Sequence, residues 1–225
     1  MINLYTSLIL SIVVQFVTGF IEFGSLFINV SNEFTILKQL LLLEVVVQFI
    51  ESAFYLYWYF NFTNIANITP KRYLDWIITT PTMLLTLIFY LVFLKFKENN
   101  TSDKLNFFDL FHQESNTIII VLLLNWLMLL FGYLGETKFI PVLLGVSLGF
   151  IPFLIYYYII YQKYALLTDD GFKIFSYFFI VWSLYGIVAV LPYKIKNMFY
   201  NILDLFAKNF FGLFLSYVLF TNKYA

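Results

Sequence analysis

Lys208 lies deep within the apolar stretch NILDLFAKNFFGLFLSYVLF, with Asp204 one helical turn before it. A charged side chain at the centre of a hydrocarbon layer costs about 2.5 to 3.5 kcal/mol on insertion scales, so a lysine kept there marks a functional site. Its counter-charges are on hand. The segment RYLDWIITTPTMLLTL places Arg72 and Asp75 one turn apart on one helix face, and Thr79 and Thr86 continue that face from Asp75 at i+4 and i+11. Asp75 and Asp204 against Lys208 and Arg72 would form a neutral quadrupole, which is how buried charges survive. Two uses fit such a cluster: a reactive amine held between carboxylates, or a structural salt bridge joining two helices.

Three further stripes carry polar groups at helical spacing. Ser11, Gln15, Thr18 and Glu22 fall at i, i+4, i+7 and i+11, and Glu44, Gln48 and Glu51 at i, i+4 and i+7. Asn197, Asn201, Asp204 and Lys208 repeat the first pattern. Each set occupies one face of its own helix. Carboxylates and amide oxygens in file suit the partial dehydration of cations. The same groups also suit interhelical hydrogen bonds, or a wire for protons.

The elements that must carry these residues are membrane helices. Of 225 residues, 62% are hydrophobic and 12% charged, whereas soluble domains carry about 25% charge. Apolar runs of membrane-spanning length recur along the chain and predict an all-α bundle of seven spans in one domain, 1–225. They fall at roughly 3–29, 35–60, 70–95, 116–134, 139–162, 172–193 and 197–220. The first is read as a retained helix and not a cleaved leader. LNFFDLF, ahead of the fourth span, reads equally as an interfacial amphipathic segment or as loop. Formal net charge is zero, which gives nucleic acid no footing as a partner, and the lack of cysteine removes disulfides and thiolate chemistry. Membrane lipids are the expected surroundings.

Lys38, Lys95, Lys97, Lys104, Lys163, Lys173 and Lys223 fall on the C-terminal side of the membrane, against Lys71, Lys138, Lys194 and Lys196 on the other. That bias predicts a cytoplasmic C-terminus and an extracellular N-terminus. His112, the single histidine, is expected in solvent, and Glu136 with Lys138 as a loop pair.

RYxDWxxTTP on the third helix with DxxxK on the seventh resembles the microbial (type I) rhodopsins, and WSLYG at Trp182 to Gly186 is similar to that family's aromatic clamp. The resemblance spans all seven helices and implies a retinal pocket at the centre of the bundle. It implies all-trans retinal on Lys208 as a protonated Schiff base, with Asp75 as primary counterion and proton acceptor and Asp204 as second counterion. Trp76 and Trp182 would sandwich the polyene, and Tyr185 would hydrogen-bond Asp204. Thr79, Thr80, Pro81, Met83, Gly132, Gly135 and Gly186 would complete the pocket, with Met83 at the colour-tuning position and its apolar character pointing to green absorption. A photoreceptor is expected here, and not an enzyme.

The family's outward proton pumps carry a carboxylate where this chain has Thr86, and a threonine is no proton donor at physiological pH. LPYKIKN likewise supplies lysines where a pump's outer ends carry paired glutamates. In the family's helix order the first, second and seventh helices are neighbours beside the third. Arg72, Ser11, Gln15, Glu44, Gln48, Glu51, Asn197 and Asn201 would then line or gate one pathway. FGYLGE and NILDLFAK look like rhodopsins encoded by giant viruses of marine protists, whose group 1 is associated with light-gated cation conduction. A light-gated channel for monovalent cations is the leading expectation; the alternatives are a light-driven outward proton pump and a non-transporting photosensor. The resemblance also implies a possible homo-oligomer and, for a virally encoded protein, a host-cell membrane.

Overall fold

The computed structural model describes residues 3–223. The helices are α1 (Leu4–Ser25), α2 (Thr35–Phe60), α3 (Thr69–Glu98), α4 (Phe107–Glu136), α5 (Val142–Lys163), α6 (Asp169–Ala189), α7 (Tyr193–Asp204) and α8 (Phe210–Thr221). A π-helical turn, Leu205–Asn209, joins α7 to α8, so these two form one continuous seventh span. Seven spans are long and apolar enough to cross a membrane, and the protein is an integral, multi-pass membrane protein. The spans close into a ring in chain order, with α7 and α8 returning to α1.

Local sequence sets the ends. The side chains of Asn3, Asn106 and Thr168 accept backbone N–H groups at the starts of α1, α4 and α6. Pro141 and Pro192 precede α5 and α7, where the lost N–H has no helical partner to miss. Several ends differ from the hydropathy reading. The fourth helix begins at Phe107 and not at 116, because Asn106 caps it and Leu110 is buried; most of LNFFDLF is thus the opening of α4. The sixth helix stops at Ala189, and Pro192 opens the seventh span at Tyr193 instead of 197. The first ends at Ser25, short of 29. The opening turns of α4 and α7 carry Asp109, Glu114, Lys194 and Lys196, whose polarity drops them out of hydropathy windows.

Burial in α1 is inverted relative to a soluble helix. Its buried face is Ser7, Leu8, Ser11, Gln15, Thr18, Glu22 and Ser25, while Phe16, Phe20 and Phe23 point outward. Lipid solvates the aromatic face, and only the interior can solvate the polar one. That inversion puts the polar stripe of α1 against α2 and α7.

Candidate functional site

Lys208 sits in the π turn, fully enclosed. Its Nζ donates to Asp75 Oδ2 at 2.6 Å and lies 3.7 Å from Asp204 Oδ1 and 3.6 Å from Glu51 Oε1. Arg72 Nη1 bonds Asp204 Oδ2 at 3.1 Å. The sequence pairs two cations with two aspartates. The structure adds Glu51 from α2 as a third carboxyl beside Lys208. Asp204 also accepts from Tyr185 Oη at 2.7 Å, as the family resemblance implies, and from Tyr55 Oη at 2.6 Å. Tyr55 escaped the sequence reading. It falls four residues past Glu51 on the same stripe, a signal masked by an aromatic content of 23%. The π turn frees a backbone carbonyl beside the lysine, and Tyr177 Oη of α6 donates to that of Phe206 at 2.5 Å.

On the far side of Lys208 lies a cavity, part of it open to the exterior. Trp76, Thr80, Met83, Gly132, Trp182, Tyr185 and Gly186 line it. So do Tyr73, Met128, Gly145, Gly149, Phe150 and Tyr200, which sequence reasoning did not single out. Gly145 and Gly149, one turn apart on α5, were the available hint. Three expected wall residues, Thr79, Pro81 and Gly135, are placed elsewhere, Pro81 being buried inside α3. Thr79 shares the face of Asp75, to whose carbonyl its Oγ1 donates at 3.0 Å, whereas Thr80 shares the face of Trp76. Gly135 lies at the α4–α5 contact, where an added Cβ would meet Val142 Cα at 3.3 Å. Gly132 and Gly186 do let aromatic walls approach: a Cβ there would stand 2.7 Å from Tyr73 Oη and 2.6 Å from the Phe150 ring.

On the near side, the predicted stripes converge. Ser11, Gln15, Thr18, Glu22, Glu44, Gln48, Glu51, Asn197 and Asn201 are all buried. They are tied at two levels. Toward the N-terminal end of the bundle, Arg72 Nε bonds Asn197 Oδ1 at 3.0 Å and its Nη2 bonds Asn201 Oδ1, while Ser11 Oγ donates to the Asn201 carbonyl at 3.1 Å. Past Lys208, Gln48 Nε2 donates to the Gln15 carbonyl at 2.8 Å. There Asn209 Nδ2 donates to Thr18 Oγ1 and to Gln48 Oε1, each at 2.7 Å. Asn209 also escaped the sequence reading, because a regular helix would turn it away and the π turn brings it inward. Around these ties, the side-chain amide of Gln15, both carboxyl oxygens of Glu22, Glu44 and Glu51, and Asn209 Oδ1 have no hydrogen-bond partner among the described residues. Groups of this kind serve water or a hard cation. Glu44 faces both Thr86 and the Glu22 carboxyl.

Two other expectations resolve differently from each other. His112 is exposed, away from the cluster. Glu136 pairs not with Lys138 but with Lys196 at 2.6 Å, because Lys138 takes the left-handed turn position at φ 63° that leads into α5.

The chain matches the family model described as bacteriorhodopsin-like protein over residues 3–222. It belongs to the bacteriorhodopsin-like family. Viral rhodopsin OLPVRII is similar to it in structure, with TM-score 0.82 at 28% identity, covering 97% of this chain and 98% of that one. Blue light-absorbing proteorhodopsin from Med12 gives 0.73 at 20% identity over 97% and 96% of the two chains. Xanthorhodopsin, a light-driven ion pump with dual chromophore, gives 0.72 at 16% over 98% and 93%. The last two likenesses concern the fold. No curated protein matches the chain.

For this rhodopsin, membership implies a retinal chromophore, and the residues present fit one. The cavity has glycines where aromatic walls come close, is apolar over most of its surface, and includes an amine held by a carboxylate. The indole N–H groups of Trp76 and Trp182 are buried without a hydrogen-bond partner among the described residues, as befits walls that present ring faces.

Proposed function

We propose that this rhodopsin is a light-gated channel for monovalent cations, protons included, with Lys208 as the attachment site of all-trans retinal through a protonated Schiff base. The observation that carries this reading is the file of buried carboxyl and amide oxygens from α1, α2 and the seventh span, without hydrogen-bond partners among the described residues and running past Lys208. Bound retinal supplies a light-driven change of shape and of Nζ direction. The chain does the rest. Asp75 takes the proton from Nζ and so loses the charge that holds the cluster together. Arg72 then has one anionic partner fewer nearby, and its bonds to Asn197 and Asn201 loosen. Asn209 follows the π turn that carries Lys208, which opens the tie between Thr18 and Gln48. Cations cross on the oxygens of Glu22, Glu44, Gln15 and Glu51 with part of their hydration replaced. The lysine distribution supports a cytoplasmic C-terminus and an extracellular Arg72 level.

One observation favours a second reading. Glu44 of α2 faces Thr86, so a carboxyl stands beside the position where the family's pumps carry one on the third helix. An outward proton pump would use it to return the proton to Nζ. Whole-cell voltage clamp under illumination separates the two. Photocurrents that reverse near the cation equilibrium potential are expected. Outward current at every voltage would establish the pump instead, and no current at any voltage would leave a photosensor.

A further inference from the structure

Glu136 closes the last turn of α4 and Lys196 lies in the first turn of α7. Their 2.6 Å ion pair is 8% exposed at each side chain. Charged side chains near the end of a membrane helix ordinarily extend to water, so two that bury against each other are held there by mutual need. The pair also joins helices that do not otherwise run together: α4 packs along α3 and α5, and α7 along α1 and α6.

Both partners lead to the counterion cluster within a few contacts. Lys196 precedes Asn197, whose Oδ1 accepts from Arg72 Nε at 3.0 Å and whose Nδ2 donates to Thr69 Oγ1 at 2.9 Å. The position of this first turn of α7 therefore decides where Asn197 meets Arg72, and Arg72 in turn holds Asp204. Glu136 follows Gly132 by one turn, and Tyr73 Oη rests against Gly132. The Tyr73 ring packs on Trp76 with centroids 5.0 Å apart, Trp76 on Tyr200 at 5.1 Å, and Tyr200 on Tyr185 at 5.7 Å. Tyr185 ends this path on Asp204.

We infer that Glu136 and Lys196 are a positioning pair: they clamp the first turn of α7 to α4 and thereby set the Arg72–Asn197 contact that anchors Arg72 on Asp204. The inference rests on the reading of Lys208 as the retinal site, because its optical consequence is a slower return of Arg72 to the dark arrangement after light. An orphaned charge at either position relaxes by drawing its helix end toward water, and α7 then no longer presents Asn197 in register.

The test uses the full chain in lipid nanodiscs. Recovery of the visible absorption band after a light pulse is compared for wild type, Glu136→Gln, Lys196→Met, the reversed pair Glu136→Lys/Lys196→Glu and the neutral pair Glu136→Gln/Lys196→Met. Each single variant should slow recovery roughly fivefold, equivalent to about 1 kcal/mol of barrier, and the reversed pair should return it toward wild type. Rescue by reversal is a response that lost packing would not give. Wild-type recovery in both singles overturns the inference, as does a reversed pair as slow as the singles. Where the singles assemble no pigment, the neutral pair decides: it holds no orphan charge, so slow recovery supports the clamp and wild-type recovery overturns it. Amide hydrogen exchange of the retinal-free chain gives an arm independent of pigment. Exchange across 193–201 should quicken in the singles and neutral pair, and unchanged exchange there overturns the clamp. Absence of a visible band in wild type would instead refute the Lys208 reading while this second arm still tests the clamp.

Discussion

Lys208 divides the bundle into two interiors of opposite character. On one side the cavity is bounded by Trp76, Phe150, Phe153, Trp182 and Tyr185, with glycines where the walls come closest. On the other, Gln15, Glu22, Glu44 and Glu51 bury polar atoms with no hydrogen-bond partner among the described residues. Unmet polar atoms are costly in a low-dielectric interior, by roughly 1–3 kcal/mol each. A protein that needed only rigidity would have paired them or replaced them with apolar side chains. The two sides therefore suit different guests: a fixed, rigid, apolar molecule in the first, and small exchanging polar species in the second. The amine between them belongs to both.

The comparison fails most completely if the amine is not the link. Lys208→Ala removes the amine that lines the cavity, so a protein given retinal should lose its visible absorption band altogether. A variant that still held retinal covalently and absorbed visible light would show that the cavity and the cluster are unrelated.

The tightness of the cavity side is open to a smaller blow. Gly186→Ala places a methyl 2.6 Å from the Phe150 ring, a wall of the cavity, so the ring must shift. Overpacking of this kind costs about 1–3 kcal/mol. Thermal bleaching of the pigment should occur at lower temperature than in wild type, with reduced pigment yield. Unchanged bleaching would mean that the walls yield freely and that α5 and α6 do not define the pocket.

How much of this was legible in the sequence follows from which signals are local. Lys208, Asp204, Arg72 and Asp75 stand out because charges are rare in spans and fall at helical spacing. Family resemblance supplied the tryptophans and Tyr185. The stripes on α1 and α2 were visible as periodicities, and their convergence needed only the order of helices in the ring. What stayed hidden depends on geometry with no local trace. Glu51 was legible as a stripe residue but not as a third carboxyl beside Lys208, and Tyr55, one turn further on that stripe, was masked by the many other aromatics. Asn209 turns inward only because Leu205–Asn209 adopts a π turn. Thr79 lies on the charged face, as its i+4 spacing from Asp75 dictates, and its neighbour Thr80 faces the cavity. Glu136 chose the distant Lys196 over the adjacent Lys138 because the turn that starts α5 fixes the direction in which Lys138 leaves the chain.

The file side can be sharpened by the mildest change of all. Glu44→Gln keeps the length and shape of the side chain and removes only its capacity for negative charge and for carrying a proton. A structural residue holding helices together would lose little, since neither Glu44 oxygen has a hydrogen-bond partner among the described residues to forfeit. Pigment formation and the absorption band should be unaffected, because the cavity wall does not include Glu44. Conduction should be affected. In the channel reading, a cation passing between α1 and α2 would meet Glu44 together with Glu22 near Thr86, and loss of one carboxyl there would raise the barrier and weaken preference for cations. In voltage clamp with sodium and potassium gradients, the photocurrent should fall several-fold or its reversal potential should shift. Wild-type currents with wild-type reversal would make Glu44 a bystander and reduce the file to interhelical bonding. Loss of a sustained outward photocurrent in this variant, restored by a membrane-permeant weak acid, would place the carboxyl in proton return and move the whole assignment from passive conduction to pumping.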